Sequence, residues 1–209
     1  MSLSYLIGLI VRLFLLLTPF FVLSVFVATC DEMESGARHR LAVRTGFAVI
    51  CATVILYLFG KVIFECLGIS LNAFQIGAGL VLMLNGIDMV RSSLPKNRQL
   101  DDNGDPAVVP LAIPTTVGPG TIGTLLVMGQ GAFDDPLNSL FEVIAIAIAS
   151  ILVGVMLYFG RHLQSILKTK GLDILSKLTG MYIVALAAQI IFTGAGNMIA
   201  LAVNALSGK

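Results

Sequence analysis

The run Pro110-Leu111-Ala112-Ile113-Pro114-Thr115-Thr116-Val117-Gly118-Pro119-Gly120-Thr121 decides how this chain is read. It lies inside an apolar stretch, 107–130, that is long enough to cross a bilayer, because about 20 apolar residues cover about 30 Å of hydrocarbon. Three prolines and two glycines nevertheless fall within eleven of its residues. Each proline removes a backbone donor and clashes with the preceding turn, so the segment cannot be one straight helix. A membrane helix broken here leaves N–H groups bare at one stub and C=O groups bare at the other. The first suits a carboxylate or phosphate, the second an ammonium or a cation.

Apolar runs of similar length recur at roughly 5–28, 43–64, 67–90, 140–160 and 174–203. Backbone groups in lipid must be satisfied within the segment, so runs of this kind are helices. The chain is 57% hydrophobic and 12% charged, about half the charge of a soluble domain, with a mean hydropathy of +0.96. A net charge of +1 argues against a nucleic-acid partner. Cys30, Cys51 and Cys66 have unrelated spacings and read as small hydrophobes rather than a disulfide or zinc framework. Neither a metal site nor a cofactor is implied. The spans contain no Ser–His pair, paired Asp or zinc motif, which argues against a membrane-embedded enzyme.

Polar connectors are predicted at 31–44, 91–105 and 161–170, with tighter turns at 65–68 and 130–138. The long connectors and their helix ends carry ten Lys and Arg: Arg38, Arg40, Arg44, Arg91, Lys96, Arg98, Arg161, Lys168, Lys170 and Lys177. The opposite side has only Arg12, Lys61 and Lys209. The positive-inside rule places the long connectors in the cytoplasm and both termini outside.

The two halves match at an offset of 100 to 102 residues. Thr18-Pro19 falls opposite Gly118-Pro119, Tyr57-Leu58-Phe59-Gly60-Lys61 resembles Tyr158-Phe159-Gly160-Arg161, and Gln75-Ile76-Gly77-Ala78 resembles Lys177-Leu178-Thr179-Gly180. A repeat of three spans ends on the side opposite its start, so the second copy enters inverted. Transporters built this way hold substrate near the midplane, where helices are interrupted at corresponding places. The expected fold is therefore an all-α integral membrane protein, one transmembrane domain over 1–209. It comprises six transmembrane helices as two inverted three-helix repeats, about 1–100 and 101–209, with helices 1 and 4 interrupted. Thr18, Pro19, Pro114, Thr115, Thr116, Gly118, Pro119, Gly120 and Thr121 are the expected substrate-binding residues. Pro19 taken alone reads as an ordinary kink.

The Pro110–Ile122 run looks like the signature of the MarC family of bacterial inner-membrane proteins, also called UPF0056. Gly68-Ile69-Ser70 with Ile76-Gly77-Ala78-Gly79-Leu80 resembles that family's third helix, and Leu178-Thr179-Gly180 with Gln189 and Thr193-Gly194 its sixth. The resemblance covers nearly the whole chain. It implies six helices, inverted repeats and a place in the bacterial inner membrane. From the archaeal SnatA branch it also implies transport of small neutral amino acids such as glycine and alanine. Three positions depart from the family pattern: Thr18 replaces Asn before the helix 1 proline, and Gln75 and Lys177 stand where Arg is usual. Thr keeps a hydroxyl but lacks the amide's donors and carbonyl, which bears on substrate selectivity.

Polar groups inside membrane helices are costly and are functional hypotheses by default. Asn85 in helix 3 and Gln189 in helix 6 join the candidate site on that ground, each against the plainer reading of a bond to a neighbouring helix. Glu65 and Glu142 are expected at the outer interface. The expected function is alternating-access transport of a small neutral solute, with a passive channel or a non-transporting scaffold or regulatory protein as alternatives. The expected partners are a small-molecule substrate and the lipid bilayer, and a homo-oligomer is left open.

Overall fold

A computed structural model describes residues 3–30, 33–91, 112, 116–131 and 135–206. Among these residues seven helices follow in order: α1 (Leu3–Leu16), α2 (Pro19–Thr29), α3 (Ser35–Leu67), α4 (Leu71–Arg91), α5 (Pro119–Gly129), α6 (Pro136–Tyr158) and α7 (Gly160–Leu206). Among the described residues there is no strand. Helices α3, α4, α6 and α7 are each long and apolar enough to cross a bilayer, and α1 with α2, bent by 43°, makes a fifth span if the pair is counted as one. The expected fourth span, 107–130, is described mainly through α5, which is 11 residues long. Pro110, Pro114 and Thr115 lie outside the described residues.

Local chemistry sets the boundaries. Gly68 ends α3 in the left-handed region at φ 62, where a residue without Cβ is favoured. Asp135 caps α6 by accepting from the N–H groups of Leu137 and Asn138, and Pro136 fills the first helical position, where a missing donor costs nothing.

Two connectors are corrected. Segments 31–44 and 161–170, read as polar loops, are largely helical: α3 already begins at Ser35 and α7 at Gly160. The first stretch carries Arg, Ala and Leu, the second Leu, Lys and Arg, all good helix formers, and neither contains proline, so helix extends past the apolar region. Charge marks where the bilayer ends, and here the helices do not end with it. Within α7 the regular backbone lapses once, at Lys168, with φ 54 and ψ 170.

The packing alternates between the halves. Helix α6 lies between α1 and α3, α5 between α3 and α4, and α7 between α4 and α2. With α1 and α2 taken together, the described helices thus close a ring in which the main neighbours come from opposite halves of the chain. Partners α4 and α7 run antiparallel, with Asn72 near Gly194, Gly79 near Ala187 and Gly86 near Gly180. Partners α3 and α6 do the same, through Gly46 against Gly154 and Tyr57 against Glu142. In lipid no hydrophobic effect pulls helices together, so close backbone approach at small residues does that work. A Cβ on Gly46 would lie 3.1 Å from the Gly154 Cα, and one on Gly86 would lie 2.9 Å from the Gly180 carbonyl oxygen.

Candidate functional site

The first break falls between α1 and α2. Pro19 has no N–H to give the Leu15 carbonyl, so the Thr18 N–H takes that acceptor at 3.0 Å and tightens the turn. Thr18 itself is forced to φ 49, ψ 50, a left-handed conformation that a β-branched residue adopts only under constraint. Its hydroxyl oxygen is buried without a hydrogen-bond partner. This is a true interruption of the helix and goes beyond the ordinary kink expected of Pro19.

The second break precedes α5. The Val117 N–H donates to the Ala112 carbonyl, five residues back, at 2.8 Å. Gly118 is extended at φ −77, ψ 172, and Pro119 then opens α5. Thr116, Val117, Gly120 and Thr121 are buried.

The breaks meet. Thr121 Oγ1 donates to the Leu16 carbonyl at 3.2 Å, joining the start of α5 to the end of α1. That carbonyl is exposed to such a partner because the chain leaves helical geometry one residue later. Beside this contact is a small cavity lined by Leu13, Leu16 and Thr121 together with Thr53 of α3 and Ser150 of α6. Thr53 Oγ1 and Ser150 Oγ stand 3.2 Å apart, and Thr53 also donates to the Val49 carbonyl at 2.8 Å. Thr53, Thr121 and Ser150 are 1%, 4% and 0% exposed, so three hydroxyls from three helices are fully withdrawn into the membrane protein's centre. The oxygens there are neutral, and the rest of the lining is aliphatic. The hydroxyls are bonded to protein partners and turned from the cavity, whose surface is apolar, so they tie α1, α3, α5 and α6 together there.

Of the residues expected at the site, Thr121 lines the cavity, and Gly120 seats α5 on α4, where an added Cβ would press on Leu82. Thr18, Pro19, Thr116, Gly118 and Pro119 form the two breaks themselves. Asn85 is half-buried on α4, and Gln189 is exposed on α7, so neither is among the cavity lining. Thr53 and Ser150 escaped notice in the sequence, because single hydroxyls are commonplace in membrane helices. Their signal was there: they fall in corresponding spans of the two halves. Glu142 lies near the start of α6, and its bonding partner is supplied by the fold. It accepts a 2.6 Å hydrogen bond from the Tyr57 hydroxyl, tying α6 to α3. A phenol buried at 0% exposure needs a partner, and the carboxyl supplies one.

A family model described as MarC family integral membrane protein matches residues 3–199. The chain belongs to the MarC family. Among its relatives within that description, a UPF0056 membrane protein of Pyrococcus abyssi is 29% identical over 188 residues, covering 88% of this chain and 90% of the relative. YhcE of Escherichia coli is 25% identical over 192 residues, 88% of each chain. The inner membrane protein MarC of Salmonella paratyphi B is 28% identical over 196 residues, 86% of this chain and 88% of its own. No solved structure matches the chain. The MarC family membership and the apolar helices make this an integral membrane protein.

Proposed function

We propose that this MarC family protein is a secondary transporter that moves a small neutral solute by alternating access, with glycine and alanine as the first candidates. The observation that carries the reading is the contact between two helix breaks at the centre, from Thr121 Oγ1 to the Leu16 carbonyl. Interrupted helices that meet at corresponding places of two repeats are where such transporters hold substrate. Bare N–H groups at the starts of α2 and α5 suit a carboxylate, and neutral oxygens suit an ammonium.

The architecture we infer is six spans in two inverted three-helix repeats, with the segment ending in α5 as the fourth span. Helices α2 and α5 support this: both begin on proline, both are 11 residues long, and they start at Pro19 and Pro119. Gly60 of α3 seats against α5, as Gly160 seats against α2. Antiparallel packing of α3 on α6 and of α4 on α7 fits a two-fold axis in the membrane plane. The Lys and Arg asymmetry puts both termini on the outer face of a bacterial inner membrane. Because neighbours in the ring alternate between halves, one half cannot rock against the other without opening every interface. The motion therefore belongs at the hinges beside Thr18 and Gly118.

The test is counterflow in proteoliposomes preloaded with unlabelled glycine and alanine and given trace labelled glycine outside. Transient accumulation above equilibrium is expected of a carrier. Plain equilibration in proportion to concentration would replace the carrier by a channel. Absence of protein-dependent uptake would remove the transport reading.

A further inference from the structure

We propose that the face of α7 turned away from α4 docks a second copy of this chain, α7 against α7, along a seam through Gln189, Phe192, Ile199, Val203 and Leu206. The antiparallel register of α4 and α7 sets Asn72 beside Gly194. Helix α4 begins at Leu71, level with the residue after Gly194, yet α7 runs on to Leu206. Its residues 196–206 are exposed without exception, an overhang of about 16 Å. The 21 residues of α4 already measure about 31 Å, enough for the hydrocarbon of a bilayer, so lipid tails do not cover the overhang. Water does not suit it either. Asn197 and Asn204 are its only polar side chains, and a helix apolar around its circumference belongs in a packed interior. The backbone of α7 stays helical through Gly194 and Gly196, so the overhang continues the axis of the span.

The side chains of the seam are spaced for a helix partner. Phe192, Ile199 and Leu206 recur every seven residues, and Val203 falls four after Ile199, the spacing at which two helices wind about each other. All four are more than half exposed. Gly180, Ala187 and Gly194, also seven apart, meet α4, and the seam lies on the other side of the helix. A second copy can therefore dock without loosening the packing of either bundle. Gln189 is the independent observation. It lies level with Gly77, six residues inside the start of α4, which places its amide within the hydrocarbon. The side chain is exposed and has no hydrogen-bond partner among the described residues. An amide facing lipid is costly, and helices in membranes use such groups to bond one another. Two copies inserted in the same direction are related by a two-fold axis along the membrane normal, which brings each residue near the axis to its own counterpart. Paired Gln189 amides then donate and accept reciprocally.

The seam stands on burial and spacing, whether or not the protein moves a solute. It is tested on the full chain in its membrane, with Cys30, Cys51 and Cys66 replaced by alanine and one cysteine introduced as Phe192→Cys, Ile199→Cys or Leu201→Cys. Oxidation with copper phenanthroline is followed by non-reducing electrophoresis. Leu201 matches Ile199 in exposure, at 62% against 64%, and points to the far side of the helix, so it controls for chance collision. A band at twice the chain's mass, several-fold stronger for Phe192→Cys and Ile199→Cys than for Leu201→Cys, is expected. Equal bands in all three variants would overturn the seam. Absence of a band from both Phe192→Cys and Ile199→Cys would also overturn it and assign the overhang to the bilayer interface. The amide pair is read by Förster transfer between labelled copies diluted with lipid. Gln189→Leu should raise the dissociation constant roughly tenfold, and Gln189→Asn, which keeps an amide, should stay nearer the parent. Association of Gln189→Leu as tight as the parent's would overturn the pairing of the amides.

Discussion

Replacing Gly129 with alanine should damage the protein more than any other single methyl addition among the small residues of the ring. A Cβ at Gly129 would fall on the Tyr57 carbonyl oxygen of α3 and 3.2 Å from the Tyr57 Cα. Both obstacles are backbone, so no rotamer change relieves them, and α5 must move off α3. Overpacking of this kind costs about 1–3 kcal/mol, and a backbone clash belongs at the upper end. At about 2–4 °C per kcal/mol for a chain of this length, the melting temperature should fall by about 5–10 °C. Gly77→Ala is the internal control. Nothing lies within 4 Å of a Cβ there, so the gain in helix propensity, about 0.5–1 kcal/mol, should raise the melting temperature slightly. Circular dichroism melts of both variants in detergent give the comparison. A Gly129→Ala melt within about 2 °C of the parent, or equal losses in the two variants, would refute the idea that backbone proximity holds α5 in place.

Thr18→Gly should stabilise by about 1 kcal/mol, because glycine tolerates φ 49 without the left-handed penalty and the Thr18 hydroxyl has no partner to lose; Thr18→Val, melted alongside, should show no gain. Tyr57→Phe and Glu142→Gln should each destabilise, and a double-mutant cycle should give a coupling of about 1–3 kcal/mol; a coupling near zero would mean that the 2.6 Å bond ties nothing together. Burial pushes the Cys30 thiol up to about 11, with nearby Arg38 pulling the other way, so only about one thiol in a thousand is ionised near pH 8. Cys66 is exposed beyond the end of the α3 apolar region. In single-cysteine variants, maleimide should therefore label Cys66 quickly and Cys30 slowly, with the Cys30 rate rising as pH approaches 11. A membrane-impermeant reagent should reach Cys66 in intact cells if the α3–α4 turn faces outward.

The helices could be read from the sequence because each apolar run is uninterrupted and long. The break before α5 could be read because three prolines and two glycines leave one outcome. The Thr18-Pro19 break is harder to read, since a lone proline is often absorbed as a kink; what tips it is the left-handed Thr18, a tertiary outcome with no local signature. Helix ends at Ser35 and Gly160 were misplaced because charge reports the membrane surface and says nothing of where backbone hydrogen bonding stops. The Thr53–Ser150 pair stayed hidden because it needs the register of α3 against α6. That register is set by Gly46 meeting Gly154, which composition does not reveal. Glu142 likewise shows a polar end position in the sequence and a buried Tyr57 partner only after the fold brings the two together.

The central claim is that solute is held where the two broken helices meet. Gly120→Val tests it most directly, because its side chain would push α5 away from Leu82 of α4 at the point where Thr121 reaches Leu16. Glycine counterflow is measured in proteoliposomes holding either parent or variant, each first shown to be monodisperse by size exclusion. Accumulation by the parent, together with none above equilibrium for an intact Gly120→Val, is the expected result. Counterflow by the variant at the parent's rate would contradict the account and move the site away from the breaks.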